Sequence, residues 1–466
     1  MIKRILKPFA IVLALVFVCS FGLSQDASYW TYQYGTRANL LGGAVIGGVV
    51  SLSGVFYNPG GIALIDNPDT LLASVVFQYP SFTIKDIGQS DSDIIWSTFR
   101  PAPSLVAGSF KFPWLKDHWL GYSVFSRYKI DMHLTGTVVD TRDILSSSPG
   151  NEMFVGTFNL MEKLDEPWIG ISWSKRLNDR LGIGLSQYVT IRSHSLRYQS
   201  MSQAQPSGGR IAMTLDSREY EYKNYRLLWK IGMALELEKL TIGFTVTTPS
   251  IKIYGTGLAG INISIIGQDI DGDGMPNDVI LGDYQEGLEA NYPTPLSIGI
   301  GTNLTLAKYS LGTLNVFASA EWYAGTDKFT VIKTENPPES PAIGFSPFDI
   351  TQERNSVLNF GIGVEQIFSE KFTGYASFRT DFSHVNSGSD TNLAVTAADI
   401  YHVVGGTTFT FMKSEWTVGI GYSFGNNIME KKFKPFDSRV GERLIGFIDA
   451  VPFEYKSFTF VLGFSF

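Results

Sequence analysis

From Ser457 to Phe466 the chain alternates without a break. Phe458, Phe460, Leu462, Phe464 and Phe466 take one side; Ser457, Thr459, Val461, Gly463 and Ser465 take the other. Successive side chains of an extended strand point to opposite faces, so this segment presents one apolar face and one small or polar face. Four more segments repeat the pattern. Trp416, Val418, Ile420, Tyr422 and Phe424 alternate with Thr417, Gly419, Gly421 and Ser423. Leu358, Phe360, Ile362 and Val364 alternate with Asn359, Gly361, Gly363 and Glu365. Leu296, Ile298 and Ile300 alternate with Ser297, Gly299 and Gly301, and Leu240, Ile242, Phe244 and Val246 with Thr241, Gly243, Thr245 and Thr247. Two architectures use such strands. A soluble sandwich packs two apolar faces together; a transmembrane barrel turns them out to lipid.

The rest of the chain selects the barrel. Trp, Tyr and Phe sit near strand ends, as an interfacial girdle requires. Charged residues make up 17% of the chain, against a typical ~25%, while aromatics reach 14% and glycines number 47. The first 24 residues read as a secretory signal: Lys3, Arg4 and Lys7, then an apolar run from Phe9 to Val18, then Gly22-Leu23-Ser24 before cleavage at Gln25. No later apolar run reaches the ~18 residues of a membrane helix. An exported chain without spanning helices, rich in aromatics and glycine, fits an antiparallel β-barrel in the outer membrane of a Gram-negative bacterium.

Cys19 is the only cysteine and lies in the signal, which excludes a disulfide scaffold and thiol chemistry. The residue before it is Val18, where lipidation expects a small one. Without Lys3, Arg4 and Lys7, 34 basic residues face 44 acidic ones, so the net charge moves from −7 to −10. An acidic chain with no basic block gives no footing to nucleic acid.

Strand-like segments recur from Leu71 to Phe466 and suggest about 14 strands, an even number that brings both ends to the periplasm. Short turns stand at 175–180 and 412–414. Longer polar connections are expected near 84–98, 139–152, 200–224, 255–292, 333–353, 385–398 and 426–455. The domain plan is a signal at 1–24, a plug at 25–70 and a barrel at 71–466.

Residues 25–70 do not alternate. The stretch from Thr36 to Asp66 is too glycine-rich for a good lipid-facing helix and too apolar for a free tail. The place left for it is the barrel lumen, as short helical pieces against the wall with Asn58-Pro59-Gly60-Gly61 as the corner. A signal, a Gly/Ala-rich stretch, an aromatic-Asn-Pro-small motif and a first strand together resemble the FadL-type transporters of long-chain fatty acids and aromatic hydrocarbons. The family's hatch motif, Asn-Pro-Ala, stands here as Tyr57, Asn58, Pro59 and Gly60, with Gly60 where Ala is usual. Phe99 to Gly108, Trp119 to Val124 and Pro293 to Gly299 are similar to its second, third and later Pro-containing strands. The resemblance implies a non-enzymatic, hatch-gated channel for hydrophobic small molecules, in contact with outer-membrane lipid. The same architecture also serves a Bacteroidetes secretion system, which leaves a protein partner as the alternative.

On the hairpin at 119–128, Trp119, Gly121, Ser123, Phe125 and Arg127 share a face expected to line the lumen, opposite Leu120, Tyr122, Val124 and Tyr128. Aromatics beside an arginine suit an apolar tail and a carboxylate, although a lumen arginine more commonly pairs with a wall carboxylate. The acidic run Asp269, Asp271, Asp273 and Asp278, with Gly272 and Gly274 for the bend, forms an oxygen cage suited to calcium as a structural clamp. Two matches are discounted. Ser423 in Gly421–Gly425 fits G-x-S-x-G but lies inside a strand, without the strand-to-helix elbow the chemistry needs. Gly255–Gly260 fits G-x-G-x-x-G with no βαβ unit, and reads as a loop. The five histidines show no metal spacing.

Overall fold

The computed structural model describes residues 27–66, 71–85, 93–102, 105–110, 117–143, 145, 148, 150–206, 208–268, 275, 277–309, 312–335, 349–385, 398–411, 414–430 and 450–465. The alternating segments form strands, and the strands form one large antiparallel sheet. Its first strand is β1 (Leu71–Ala73) and β2 (Val75–Ile84), parted at Ser74; its second is β3 (Ile94–Ser97), β4 (Arg100–Ala102) and β5 (Val106–Phe110). β1 pairs with β5, and β2 with β4 and β3. Next come β6 (His118–Arg142), β7 (Glu152–Asn178), β8 (Leu181–Gln205), β9 (Ala212–Glu236) and β10 (Leu240–Thr247), each paired with the one before. β10 pairs with β13 (Ser297–Tyr309), which leads through β14 (Gly312–Tyr323), β17 (Val357–Ser369), β18 (Phe372–Asp381), β19 (Asp399–Phe411) and β20 (Ser414–Glu430) to β21 (Ala450–Ser465). β21 pairs back on β2, from Val75↔Leu462 to Ile84↔Phe453.

The sheet is inverted relative to a soluble core. Ile300, Leu358, Phe360, Ile420, Phe458 and Phe460 are exposed, while Thr245, Ser297, Glu321, Asn359, Arg379, His402, Ser457 and Thr459 are buried on the other face. Water would penalise that outer face; hydrocarbon would not. On β9 the outward side chains are apolar from Leu235 to Tyr225, then become Lys223, Glu221 and Glu219. That apolar stretch matches the ~9–11 residues that a strand needs to cross a bilayer.

The strands do not stop at that level, and here the structure corrects the expected connections at 200–224 and 255–292, while the one expected near 139–152 falls between β6 and β7. β6 to β9 run on, and a hairpin of β11 (Ile251–Gln268) and β12 (Asn277–Glu289) joins β9 beside them. From Lys223 to Ala212, β9 continues for roughly 35 Å at a rise of ~3.3 Å per residue. Near the membrane level one face is still aromatic: Tyr220 and Tyr222 are buried while Glu219, Glu221 and Lys223 look outward. Gly255 to Gly260, expected as a loop, lies inside β11. A side chain at Gly255 would collide with the Ala290 carbonyl and the Asn224 amide, so glycine there permits a close approach. A small separate sheet, β15 (Thr326–Ile332) and β16 (Ile350–Arg354), is tied to the wall by the Ala290↔Ile332 bridge.

The N-terminal segment lies against the polar face of the wall. It holds three short helices, α1 (Thr36–Leu40), α2 (Gly54–Tyr57) and α3 (Pro59–Ile62). Thr36 meets Gly463 on β21, Leu40 meets Gly406 and Gly419 on β19 and β20, and Ile46 meets Gly243 and Gly301 on β10 and β13. Tyr34 Oη donates to the Ser126 carbonyl of β6 at 2.8 Å, and Arg176 of β7 donates to the Ala63 carbonyl at 2.9 Å. These contacts reach seven strands of the wall.

Candidate functional site

Asn58 sits between two helices in an extended conformation, capping both. Its Oδ1 accepts the Gly60 amide at 3.1 Å, and Pro59 starts α3 where a missing N–H costs nothing. Its Nδ2 donates to the Ile46 carbonyl at 2.8 Å and to the Met233 carbonyl of β9 at 3.0 Å. The motif is therefore more than a corner. It lies flat on strand backbone: a Cβ on Gly60 would stand 2.6 Å from the Gly232 carbonyl oxygen, and one on Gly184 2.7 Å from the Gly60 nitrogen. Tyr57 Oη accepts the Tyr34 amide and donates to Gln33 Oε1, both at 2.8 Å. Burial pushes this phenol up, which keeps it neutral.

A second fastening holds residues 29–31. Asp381 Oδ1 accepts the amides of Tyr29 at 3.0 Å and Trp30 at 2.7 Å, and its Oδ2 accepts Thr31 Oγ1 at 2.7 Å. Arg379 donates to the Trp30 and Thr31 carbonyls, each at 3.2 Å. His402 lies 3.9 Å from Asp381 and 2.7 Å from Ser423 Oγ. These three residue types could suggest a nucleophile, but Ser423 and His402 are buried and the carboxylate is taken up by the N-terminal segment. The cluster is a clamp.

Above Phe56 a cleft of about 570 Å³, its mouth included, opens between the N-terminal segment and the wall. Tyr29, Phe56, Tyr128, Trp168, Tyr292 and Tyr323 give it aromatic walls; Arg127, Lys230, Arg354, Glu166 and Glu321 give it charge. A smaller cavity of about 270 Å³ shares Phe56, Arg127, Lys230 and Glu321 and continues toward Trp30, Gln33 and Tyr57.

The carboxylates are already engaged. Glu321 accepts from Ser297 Oγ at 2.7 Å, Tyr323 Oη at 2.8 Å and Trp30 Nε1 at 3.1 Å, with Lys230 Nζ 3.6 Å away. Glu166 pairs with Arg192 at 2.6 Å and accepts Trp168 Nε1 at 2.9 Å. Arg127 and Arg354 have no carboxylate within ion-pair distance among the described residues. Arg127 instead lies over the rings of Phe56, Tyr128 and Trp168 at 5.2, 5.6 and 6.0 Å. Arg354 lies over Tyr292 at 4.4 Å, donates Nη1 to the Pro293 carbonyl at 2.7 Å, and has no partner for Nη2 among the described residues. Ring faces offset part of a buried guanidinium's desolvation, about 0.5–2 kcal/mol each, but less than a carboxylate does.

Of the residues expected in the lumen, Arg127 lines the cleft. Phe125 packs behind it, between Tyr34 at 4.7 Å and Trp168 at 5.6 Å. Trp119 is buried over Gly121, away from the cleft. The expected pairing of Arg127 with a wall carboxylate is not found among the described residues; Arg192 holds Glu166 instead. Tyr128, placed outside by alternation, is buried, because a bulge between Ser126 and Lys129 shifts the register against Pro167 and Asp165. Sequence reasoning passed over Lys230 and Glu321. Their signal was a lone charge on the small-residue face: Leu228, Lys230, Gly232 and Ala234 on β9, and Ser319 and Glu321 on β14.

Asp269, Asp271 and Asp273 lie outside the described residues. Asp278 accepts the Gly267 amide at 3.0 Å and Arg210 at 2.5 Å. Those two contacts hold its carboxyl below the ordinary range.

The fold as a whole has counterparts among solved structures. A Pseudomonas aeruginosa FadL homologue is 15% identical with a TM-score of 0.60, covering 94% of this chain and 99% of that one. This chain has the FadL-type fold. The Pseudomonas putida toluene transporter TodX follows at 12% identity and TM-score 0.55, covering 92% of this chain and 97% of that one. The monoaromatic hydrocarbon channel CymD gives 11% and 0.50, with coverage of 92% and 97%. No protein-family model matches the chain, and neither does any curated protein sequence. In this FadL-type fold the N-terminal segment and the cleft share one interior, with Phe56 between the two cavities.

Proposed function

We propose that this chain is an outer-membrane channel for hydrophobic compounds that carry an anionic head, long-chain fatty acids foremost. The pairing order, with β21 back on β2, supports a closed barrel of fourteen strands. The buried segment supports a hatch over residues 25–70. One observation carries the choice of ligand. An aromatic cleft holds two guanidinium groups, Arg127 and Arg354, while both of its carboxylates are already engaged. A carboxylate head would take up those donors in charge-assisted hydrogen bonds of about 1.5–3 kcal/mol, and the tail would lie along the rings.

In this reading the ligand enters from the side of the projecting strands, settles above Phe56, and leaves once the hatch shifts. No step is catalytic. The test is uptake of a labelled long-chain fatty acid by cells lacking the gene, against the same cells with it restored. Uptake that falls and recovers supports the reading. Unchanged uptake overturns it and turns attention to the projecting sheet as a docking surface for a secretion partner. Calcium at Asp269, Asp271, Asp273 and Asp278 belongs to the same proposal, as a clamp on the loop that joins β11 to β12.

A further inference from the structure

Glu166 lines the same cleft as Arg127, and a buried carboxylate beside a buried guanidinium would ordinarily neutralise it. The two do not pair. Glu166 Oε2 is held by Arg192 Nη1 at 2.6 Å, and Oε1 by Trp168 Nε1 at 2.9 Å, so both oxygens are engaged. Arg192 is itself fixed. Its Nε donates to Tyr222 Oη at 2.9 Å, and its guanidinium lies 3.8 Å above the Tyr292 ring. Tyr222 continues the chain to His194 at 3.3 Å, and His194 to Glu162 at 3.0 Å. Every member is buried on the inner face of β7, β8 or β9, apart from Tyr292, which lies just past β12.

We propose that Arg192 is a positioning residue for anion recognition: by holding Glu166 it keeps Arg127 uncompensated and available to a ligand's negative head. This rests on the functional reading above. Nothing in the wall's stability requires the pair, because a buried ion pair contributes little over an apolar replacement of the same size. Its consequence is the charge left in the cleft. Without Arg192, Glu166 would be a buried carboxylate with one donor, in a cleft that the uncompensated Arg127 also lines.

The test uses full-length protein in detergent and binding of tritiated dodecanoate, with 1-dodecanol as the neutral probe of the same length. Arg192→Ala is expected to weaken dodecanoate about tenfold or more while leaving dodecanol unchanged. Glu166→Gln alone should retain dodecanoate binding. The double variant, Arg192→Ala with Glu166→Gln, should restore it, because no carboxylate remains to capture Arg127. A purely structural Arg192 would lower both probes together. Unchanged dodecanoate affinity in Arg192→Ala, or a double variant that stays as weak as the single, overturns the proposal. Wild-type protein that binds neither probe is a different result: it overturns the functional reading itself and this inference with it.

Discussion

Replacing Gly243 with alanine drives a methyl group into the seat of the N-terminal segment. The new Cβ would stand 2.7 Å from Asn58 Nδ2 and closer still to the Ile46 carbonyl oxygen. Ordinary contact lies near 3.5–4.0 Å, so something must move by about 1–2 Å. The wall at Gly243 is paired on both sides, to Ala234 and to Gly301, so the N-terminal segment is what gives way. That movement breaks the bonds from Asn58 Nδ2 to Ile46 and Met233, now 2.8 and 3.0 Å. Two bonds at about 1 kcal/mol each, plus a penalty of about 1–3 kcal/mol for a buried amide left unsatisfied, come to about 3–5 kcal/mol. In amide exchange that is about 100- to 4,000-fold less protection for residues 44–62, with the strands unaffected. Gly282→Ala is the control, since its nearest neighbour would be the Ile261 carbonyl at 3.8 Å. Unchanged exchange in Gly243→Ala would refute the reasoning. So would equal acceleration in β9, β10 and β13, because the glycine would then serve the wall and not the seat.

Asn58→Ala removes the cap and both Nδ2 bonds, and should raise proteolysis of the N-terminal segment at least tenfold while the barrel keeps its heat-modified gel mobility. Arg127→Met and Arg354→Met should each weaken dodecanoate about tenfold and spare 1-dodecanol, by equilibrium binding; parallel loss of both probes would show that the arginines serve packing alone. Ile420→Lys places a charge on the outer face and should cost about 2–4 kcal/mol in folding from urea into vesicles, whereas Thr459→Lys on the inner face should cost less.

The two faces of the wall could be read directly from sequence. Phe458, Phe460 and Leu462 are exposed and Ser457 and Thr459 buried, as alternation requires. Alternation failed where its assumption failed. It counts residues along a regular strand, and the bulge after Ser126 inserts one, which brings Tyr128 inside beside Arg127. The projecting parts of β6 to β9 were missed for another reason. Polar outward residues such as Glu219 and Lys223 resemble loop composition, while the buried partners Tyr220 and Tyr222 carry the strand signal between them. The corner at Asn58 was legible from its residue types, but its seat was not. Gly184, Gly232 and Gly243 come from three strands, and only their pairing makes one flat patch. The cleft is the hardest case, since Arg127, Lys230, Glu321 and Arg354 come from β6, β9, β14 and β16 and no local pattern brings them together.

The most direct measurement is a crystal structure of the protein grown with 12-bromododecanoate, in which anomalous scattering marks the bromine and the density shows the head. The account predicts the carboxylate against Arg127 or Arg354 and the tail among Phe56, Tyr128, Trp168 and Tyr292. A ligand bound only on the outer face of the sheet, or a carboxylate turned away from both arginines, would contradict it.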